Sequence, residues 1–265
     1  MCIRDRYGGY ALTKPALLKS FAKNISLLNQ LGIKVIVVHG GGPQIEKELK
    51  KRKINNEEYQ GLRVTTKSVL GVVKRILSHD LNKLISDEIK KNGGKTKRLN
   101  GVSTKVLKAK IAMNGNIGFV GEPRGIDKNI IMKALKSNHI PIIAPLGVDA
   151  NNNTLNVNAD TAAAYIAESL KAERLLLLTD VAGVLDNNKK LITELDRKKA
   201  FQYIKKGTIK SGMIPKIKAC FNTLKNGAKG VALIDGRKQN AVAMELLTTQ
   251  GAGTCLLYTS DAADE

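Results

Sequence analysis

An α/β fold is predicted: a three-layer αβα sandwich around a central, mostly parallel open sheet. Three observations lead there. The runs Val35-Ile36-Val37-Val38, Ile140-Pro141-Ile142-Ile143-Ala144 and Leu175-Leu176-Leu177-Leu178 carry no polar residue on either face. Strands of that kind are buried on both sides, as in a parallel sheet covered by helices above and below. Amphipathic helical patterns separate the runs almost throughout, the alternation that builds βαβ units. With 265 residues and no linker or low-complexity stretch, one domain over residues 7–254 is expected. Two lobes, 7–172 and 173–254, would share one continuous sheet.

The elements follow in order. Thr13 and Pro15 mark a helix start, and Leu17, Leu18, Phe21, Ile25 and Leu28 form its apolar stripe. After Gly32 a strand runs to His39. The triplet Gly40-Gly41-Gly42 then turns into a helix opened by Pro43 and running from Gln44 to Lys51. A polar, hairpin-like stretch spans Asn55 to Thr65, and a long helical pattern spans Lys67 to Lys91. Asn92-Gly93-Gly94 suits a helix C-cap and turn. Short strands are expected at Ala109 to Met113 and Gly118 to Gly121, then a helix at Lys128 to Ser137 and a strand at Ile140 to Leu146. An asparagine turn precedes Leu155 to Asp160 and an alanine-rich helix, Thr161 to Leu170. The second half reads as a strand (Leu175 to Thr179), helices near Asp196 to Lys205 and Met213 to Asn226, a strand (Gly230 to Ile234) and a helix (Asn240 to Thr248).

Composition narrows the functions. The net charge is +21, but the lysines are spread widely and aromatic residues make up only 4%. Stacking platforms are therefore poor, and no helix-turn-helix or RNP-like motif occurs, so a nucleic-acid partner is not expected. No apolar run approaches the ~20 residues of a membrane span, and no secretory signal is evident, so no membrane partner is expected. Cys2, Cys220 and Cys255 lie far apart without CxxC spacing. A disulfide framework or zinc site is not expected, and a cytoplasmic protein fits. His39, His79 and His139 are scattered and read as structural. Residues 1–6 and 255–265 fit neither neighbour's pattern and read as non-native ends.

Candidate chemistry collects after the strands, where open α/β sheets bind ligands. Three glycines after a strand and before a helix can bring backbone N–H groups against an anion. Neither the Walker sequence nor a Rossmann fingerprint is present. Lys210-Ser211-Gly212-Met213-Ile214-Pro215-Lys216 is a basic glycine turn, and Pro215 places Lys216 near the positive end of a helix. Asp160 precedes the alanine-rich helix, where it would either cap the helix or orient cations. Asn156 and Asn158, two residues apart, would face one side of a strand. Arg63 follows a glycine bend and can hold a carboxylate bidentately.

These stretches resemble one family, the acetylglutamate kinases of the amino-acid-kinase superfamily. The matching segments are Tyr7-Gly8-Gly9, Val37 to Ile45, Gly61 to Thr65, Asn156 to Asp160, Leu178 to Leu185 and Gly212 to Lys216, in family order. The resemblance implies ATP-dependent phosphorylation of the side-chain carboxylate of N-acetyl-L-glutamate, with Mg²⁺ carried by the nucleotide and no metal held by protein side chains. Gly41 and Gly42 would bind the substrate through backbone N–H groups, and Arg63 with Asn156 would clamp it. Lys216 would neutralise the transferring phosphoryl group while Asp160 orients the cationic groups. Gly9, Asp180, Val181, Gly183, Val184, Leu185, Ile209, Ser211, Gly212 and Met213 would contact the nucleotide. The family lysine that ends the first strand is Arg6 here, and Met1 to Asp5 replace the strand. Arginine keeps the charge but not the compact ammonium, which implies impaired turnover. The resemblance also implies a homodimer or higher homo-oligomer. Alternatives are another superfamily kinase or a catalytically impaired nucleotide-binding relative.

Overall fold

The structure, a computed structural model, describes residues 14–209 and 213–257, the side chain of Pro215 excepted. Pro15 opens α1 (Pro15–Gln30), which buries Leu17, Leu18, Phe21, Ile25 and Leu28, the stripe read from the sequence. Strand β1 (Val37–Val38) leads through the glycines into α2 (Gly42–Lys51). A small hairpin follows, β2 (Glu58–Tyr59) with β3 (Leu62–Arg63). The long helical pattern forms as α3 (Lys67–Arg75) and α4 (Asn82–Lys91), joined by a π turn at Ile76–Leu81. Then come β4 (Thr96–Asn100), β5 (Leu107–Ile111), β6 (Val120–Ile126), α5 (Lys128–Lys136), β7 (Ile140–Ala144), β8 (Leu146–Val148), β9 (Thr154–Val157) and α6 (Ala159–Ser169). The remainder is β10 (Leu175–Thr179), β11 (Glu194–Asp196), α7 (Arg197–Lys205), α8 (Ile214–Lys225), β12 (Val231–Asp235), α9 (Ala241–Leu247) and β13 (Gly253–Leu257).

Alternation along the buried strands produces the three layers. Leu176 and Leu178 of β10, Ala232 and Ile234 of β12, and Ile140 and Ile142 of β7 enter one hydrophobic core with α1 and α4. Leu175 and Leu177, Val231 and Leu233, and Ile143 enter the other, with α5, α6 and α8. Successive residues point to opposite faces of a strand, so each apolar run feeds both cores. Both cores draw residues from before and after position 172.

The sheet departs from expectation. Among the described residues it is not continuous: β1-β7-β4 is wholly parallel, whereas β10-β12-β13-β11 contains one antiparallel pair, β12 with β13. The buried strands β1 and β10 each stand at an edge of the described sheets. The replaced first strand falls on residues outside the described set. Strands β5, β6, β9 and β8 close into a small barrel instead of extending either sheet. Four strands were not expected: β8, split off from the run Ile140 to Leu146 into the barrel, and β4, β11 and β13. β4 and β11 are edge strands with polar sequences, Thr-Lys-Arg-Leu-Asn and Glu-Leu-Asp, in which only Leu99 and Leu195 are buried. β13 runs through Cys255, Leu256 and Leu257, beyond the Thr254 limit, and Leu256 is fully buried.

Candidate active site

Two helix N-termini and one arginine meet in a single cavity. Its lining includes Gly40, Gly41, Gly42, Glu58, Arg63, Asn156, Asn158 and Asp160. Gly42 is the first residue of α2 and Pro43 the second; no side chain caps this helix. The positive end of α2 therefore opens onto the cavity through a bare turn. The three glycines are not equivalent. A Cβ on Gly41 would stand 2.6 Å from Leu81 Cδ1 and 2.8 Å from Leu77 Cδ2, so any side chain there would have to displace two buried leucines. A Cβ on Gly42 would meet nothing within 4 Å. Packing does not account for Gly42; a ligand approaching the backbone would.

The second N-terminus belongs to α6. Its cap is Asn158, whose Oδ1 accepts from Thr161 N at 3.1 Å. This corrects the expected cap: the helix begins at Ala159, two residues earlier than predicted, and Asp160 sits in its first turn. Asp160 is thereby released from capping and lines the cavity. Asn156 ends up on β9 and Asn158 at the cap beyond it, yet both reach the same cavity.

Arg63 comes from the hairpin. It is half-buried and donates to Asn56 Oδ1. Burial lowers its pKa from the ordinary arginine value, and the Glu58 and Glu46 carboxylates oppose that shift. Thr65, fully buried, ties Arg63 to Asn156: its Oγ1 donates to the Arg63 carbonyl at 2.8 Å and accepts from Asn156 Nδ2 at 3.1 Å. Sequence reasoning placed Thr65 in the Gly-Leu-Arg-Val-Thr stretch but gave it no task. It also missed Glu58, which lines the cavity, and Asn82, a buried side chain outside the lining that hydrogen-bonds His39 beside the glycine turn. An amide on the apolar stripe of a long helix is a usable signal for Asn82, because a buried polar group demands a partner.

The C-terminal candidates are distributed differently. Lys216 is the third residue of α8, half-buried, and lies outside the cavity lining; α8 packs against α6, whose first turn carries Asp160. Asp180 and Val181 are exposed just after β10, where Thr179 Oγ1 accepts from Val181 N at 3.3 Å. Gly183 takes φ +134°, and a Cβ there would stand 2.7 Å from Thr254 Oγ1. Val184 and Ile209 are buried in the core, and both backbone polar groups of Val184 are engaged, with Thr254 and Ile192. Leu185 is exposed and bridges to Leu191, while Met213 packs on the core from the start of α8. Arg6, Gly9, Ser211 and Gly212 lie outside the described residues.

The model of the amino acid kinase family matches residues 6–235. An acetylglutamate kinase of Bradyrhizobium diazoefficiens is 43% identical over 263 residues, covering 95% of this chain and 89% of the relative. One from Pelagibacter ubique is 42% identical over 249 residues, covering 94% and 86%. A crystal structure of a Streptococcus mutans protein superposes with a TM-score of 0.80 at 29% identity, over 97% of this chain and 98% of that one. N-acetylglutamate synthase from Neisseria gonorrhoeae, complexed with coenzyme A and N-acetyl-glutamate, gives 0.85 at 23% identity over 98% and 59%, a likeness of fold alone. No helix among the described residues is long and apolar enough to cross a membrane. The chain belongs to the amino acid kinase family, among its acetylglutamate kinases.

Proposed function

We propose that the chain transfers the γ-phosphoryl group of ATP to the side-chain carboxylate of N-acetyl-L-glutamate, giving N-acetyl-L-glutamyl 5-phosphate and ADP in arginine biosynthesis. The observation that carries this reading is the convergence of Gly41, Gly42, Arg63 and Asn156 on one cavity. A small dianionic amide suits that lining. Bare N–H groups at the α2 terminus take one anionic end, Arg63 takes a carboxylate in a bidentate manner, and the Asn156 amide pairs with polar atoms between. The reacting carboxylate is ionised at pH 7, so no general base is needed. Its oxygen attacks the γ-phosphorus as the bond to the β-phosphate oxygen breaks, and ADP leaves.

Such a transfer depends on in-line positioning and charge neutralisation. Lys216, in the first turn of α8, supplies positive charge to the transferring group. Asp160 orients the cations around it. Mg²⁺ enters with the nucleotide as part of the substrate. The residues after β10, from Asp180 to Leu185, together with Ile209 to Met213 and Gly9, form the nucleotide side. The enzyme works as a homodimer or larger homo-oligomer in the cytoplasm, a reading supported by the motif resemblance.

Hydroxylamine tests the substrate directly, because an acyl phosphate is trapped as a hydroxamate. Incubation with ATP, Mg²⁺ and each candidate acid should give hydroxamate with N-acetyl-L-glutamate well above aspartate, glutamate or carbamate. Preference for another acid would overturn the assignment.

A further inference from the structure

We propose that Asn82 and His39 form a positioning relay that sets the Gly40–Gly42 turn, and that the π turn Ile76–Leu81 serves to bring this relay beneath it. The inference rests on the reading of Gly41 and Gly42 as the acetylglutamate-binding amides. Neither Asn82 nor His39 lines the cavity, so both act through the turn and not on the substrate.

The hydrogen bonds define the relay. His39 is fully buried, and its Nδ1 lies 3.0 Å from the Gly40 carbonyl. A carbonyl only accepts, so Nδ1 carries the proton and Nε2 is left as an acceptor. Asn82 fills that role: its Nδ2 donates to His39 Nε2 at 3.2 Å and to the Ile142 carbonyl at 2.9 Å. Its Oδ1 accepts from Arg98 Nε at 2.9 Å, and Arg98 Nη2 donates to the carbonyl of Ser78 at 2.7 Å. Flipping the Asn82 amide would point its oxygen at two acceptors, so one orientation satisfies all three partners.

The backbone supplies the second observation. Ser78 belongs to the π turn, and Asn82 is the first residue after it. A regular α-helix through this segment would rotate Asn82 by about 100° per residue removed from the bulge, away from His39. The same turn contributes Leu77 and Leu81, the two side chains against which Gly41 is packed. One irregular turn thus holds Gly40 by a hydrogen-bonded imidazole and Gly41 by a leucine wall. Between them these contacts set the directions in which the Gly41 and Gly42 N–H groups point.

Calorimetric titration of N-acetyl-L-glutamate and of ATP into the full chain tests the relay. Asn82→Leu should weaken acetylglutamate about tenfold or more, the scale of one misdirected hydrogen bond, and leave the ATP Kd within about twofold. His39→Leu should behave likewise. His39→Asn, which retains an N–H near Nδ1, should recover most of the affinity. Should Asn82→Leu fail to melt cooperatively, Arg98→Gln carries the test: it removes the anchors on Asn82 Oδ1 and on the Ser78 carbonyl of the π turn, and should weaken acetylglutamate a few-fold. An unchanged acetylglutamate Kd in a folded variant overturns the relay. So does an equal loss for both ligands, which would indicate general loosening. Absence of acetylglutamate binding by the unsubstituted chain would sink the functional assignment and this inference with it.

Discussion

Gly42→Ala separates binding from folding, because the structure sends the two effects in opposite directions. Gly42 opens α2, is absent from the glycines with positive φ, and has nothing within 4 Å of an added Cβ. Alanine therefore enters without strain or collision. In a helix it is favoured over glycine by about 0.5–1 kcal/mol, less at a terminal position. The expected change in Tm is zero to about +3 °C. The same methyl, however, occupies the space through which an anion reaches the Gly42 N–H. Losing one charge-assisted hydrogen bond costs about 1.5–3 kcal/mol, or about 10- to 150-fold in affinity. Hydroxamate formation at varied acetylglutamate should show KM rising by that factor, with the ATP KM little changed. Gly41→Ala is the contrast: its Cβ meets Leu77 and Leu81, so overpacking of about 1–3 kcal/mol should lower Tm instead. A Gly42→Ala protein with unchanged Tm and unchanged acetylglutamate KM would refute the reasoning.

Other expectations are as direct. Arg63→Lys replaces a fork with a point charge; initial-rate kinetics should show acetylglutamate KM rising about tenfold and ATP KM holding. Lys216→Met should lower kcat on the order of 10²-fold in a single-turnover assay while acetylglutamate affinity, read by calorimetry, stays within a few-fold. Arg6→Lys, with an apolar strand in place of residues 1–5, should raise kcat on the order of 10²-fold; an unchanged rate would overturn the expectation that Arg6 impairs turnover. Burial holds the His39 pKa at about 4 against 6.5 for the free group, its bond to Gly40 opposing and Arg98 adding to the shift. Between pH 6.5 and 4 the unfolded chain binds a proton that the native one refuses. Stability supported by neutral His39 is complete above pH 6.5 and declines toward pH 4, by about 3 kcal/mol. Urea denaturation across that range should show a shallower decline for His39→Asn, and equal slopes would contradict it.

Local pattern made much of this molecule readable. The stripe Leu17 to Leu28, the leucine run before Thr179 and the turn Gly40 to Gly42 each carry their signal within a dozen residues. Edge strands were invisible for the opposite reason. Thr96 to Asn100 is polar because one face meets water, and it becomes a strand through its pairing with the buried Ile140–Ala144. Asp160 misled because capping preference is shared by Asn158, and only the backbone path decides which residue turns first.

Residue order alone settled the layering, the aliphatic strands, the bare turn and the arginine-bearing hairpin, since those follow from side-chain periodicity and from glycine's missing Cβ. Assembly had to settle which groups meet. Thr65 reaches Asn156 across 91 positions and Asn82 reaches His39 across 43. Such pairs leave no mark in a neighbouring sequence, because a hydrogen bond depends on ångström-scale placement that arises only when strands and helices pack.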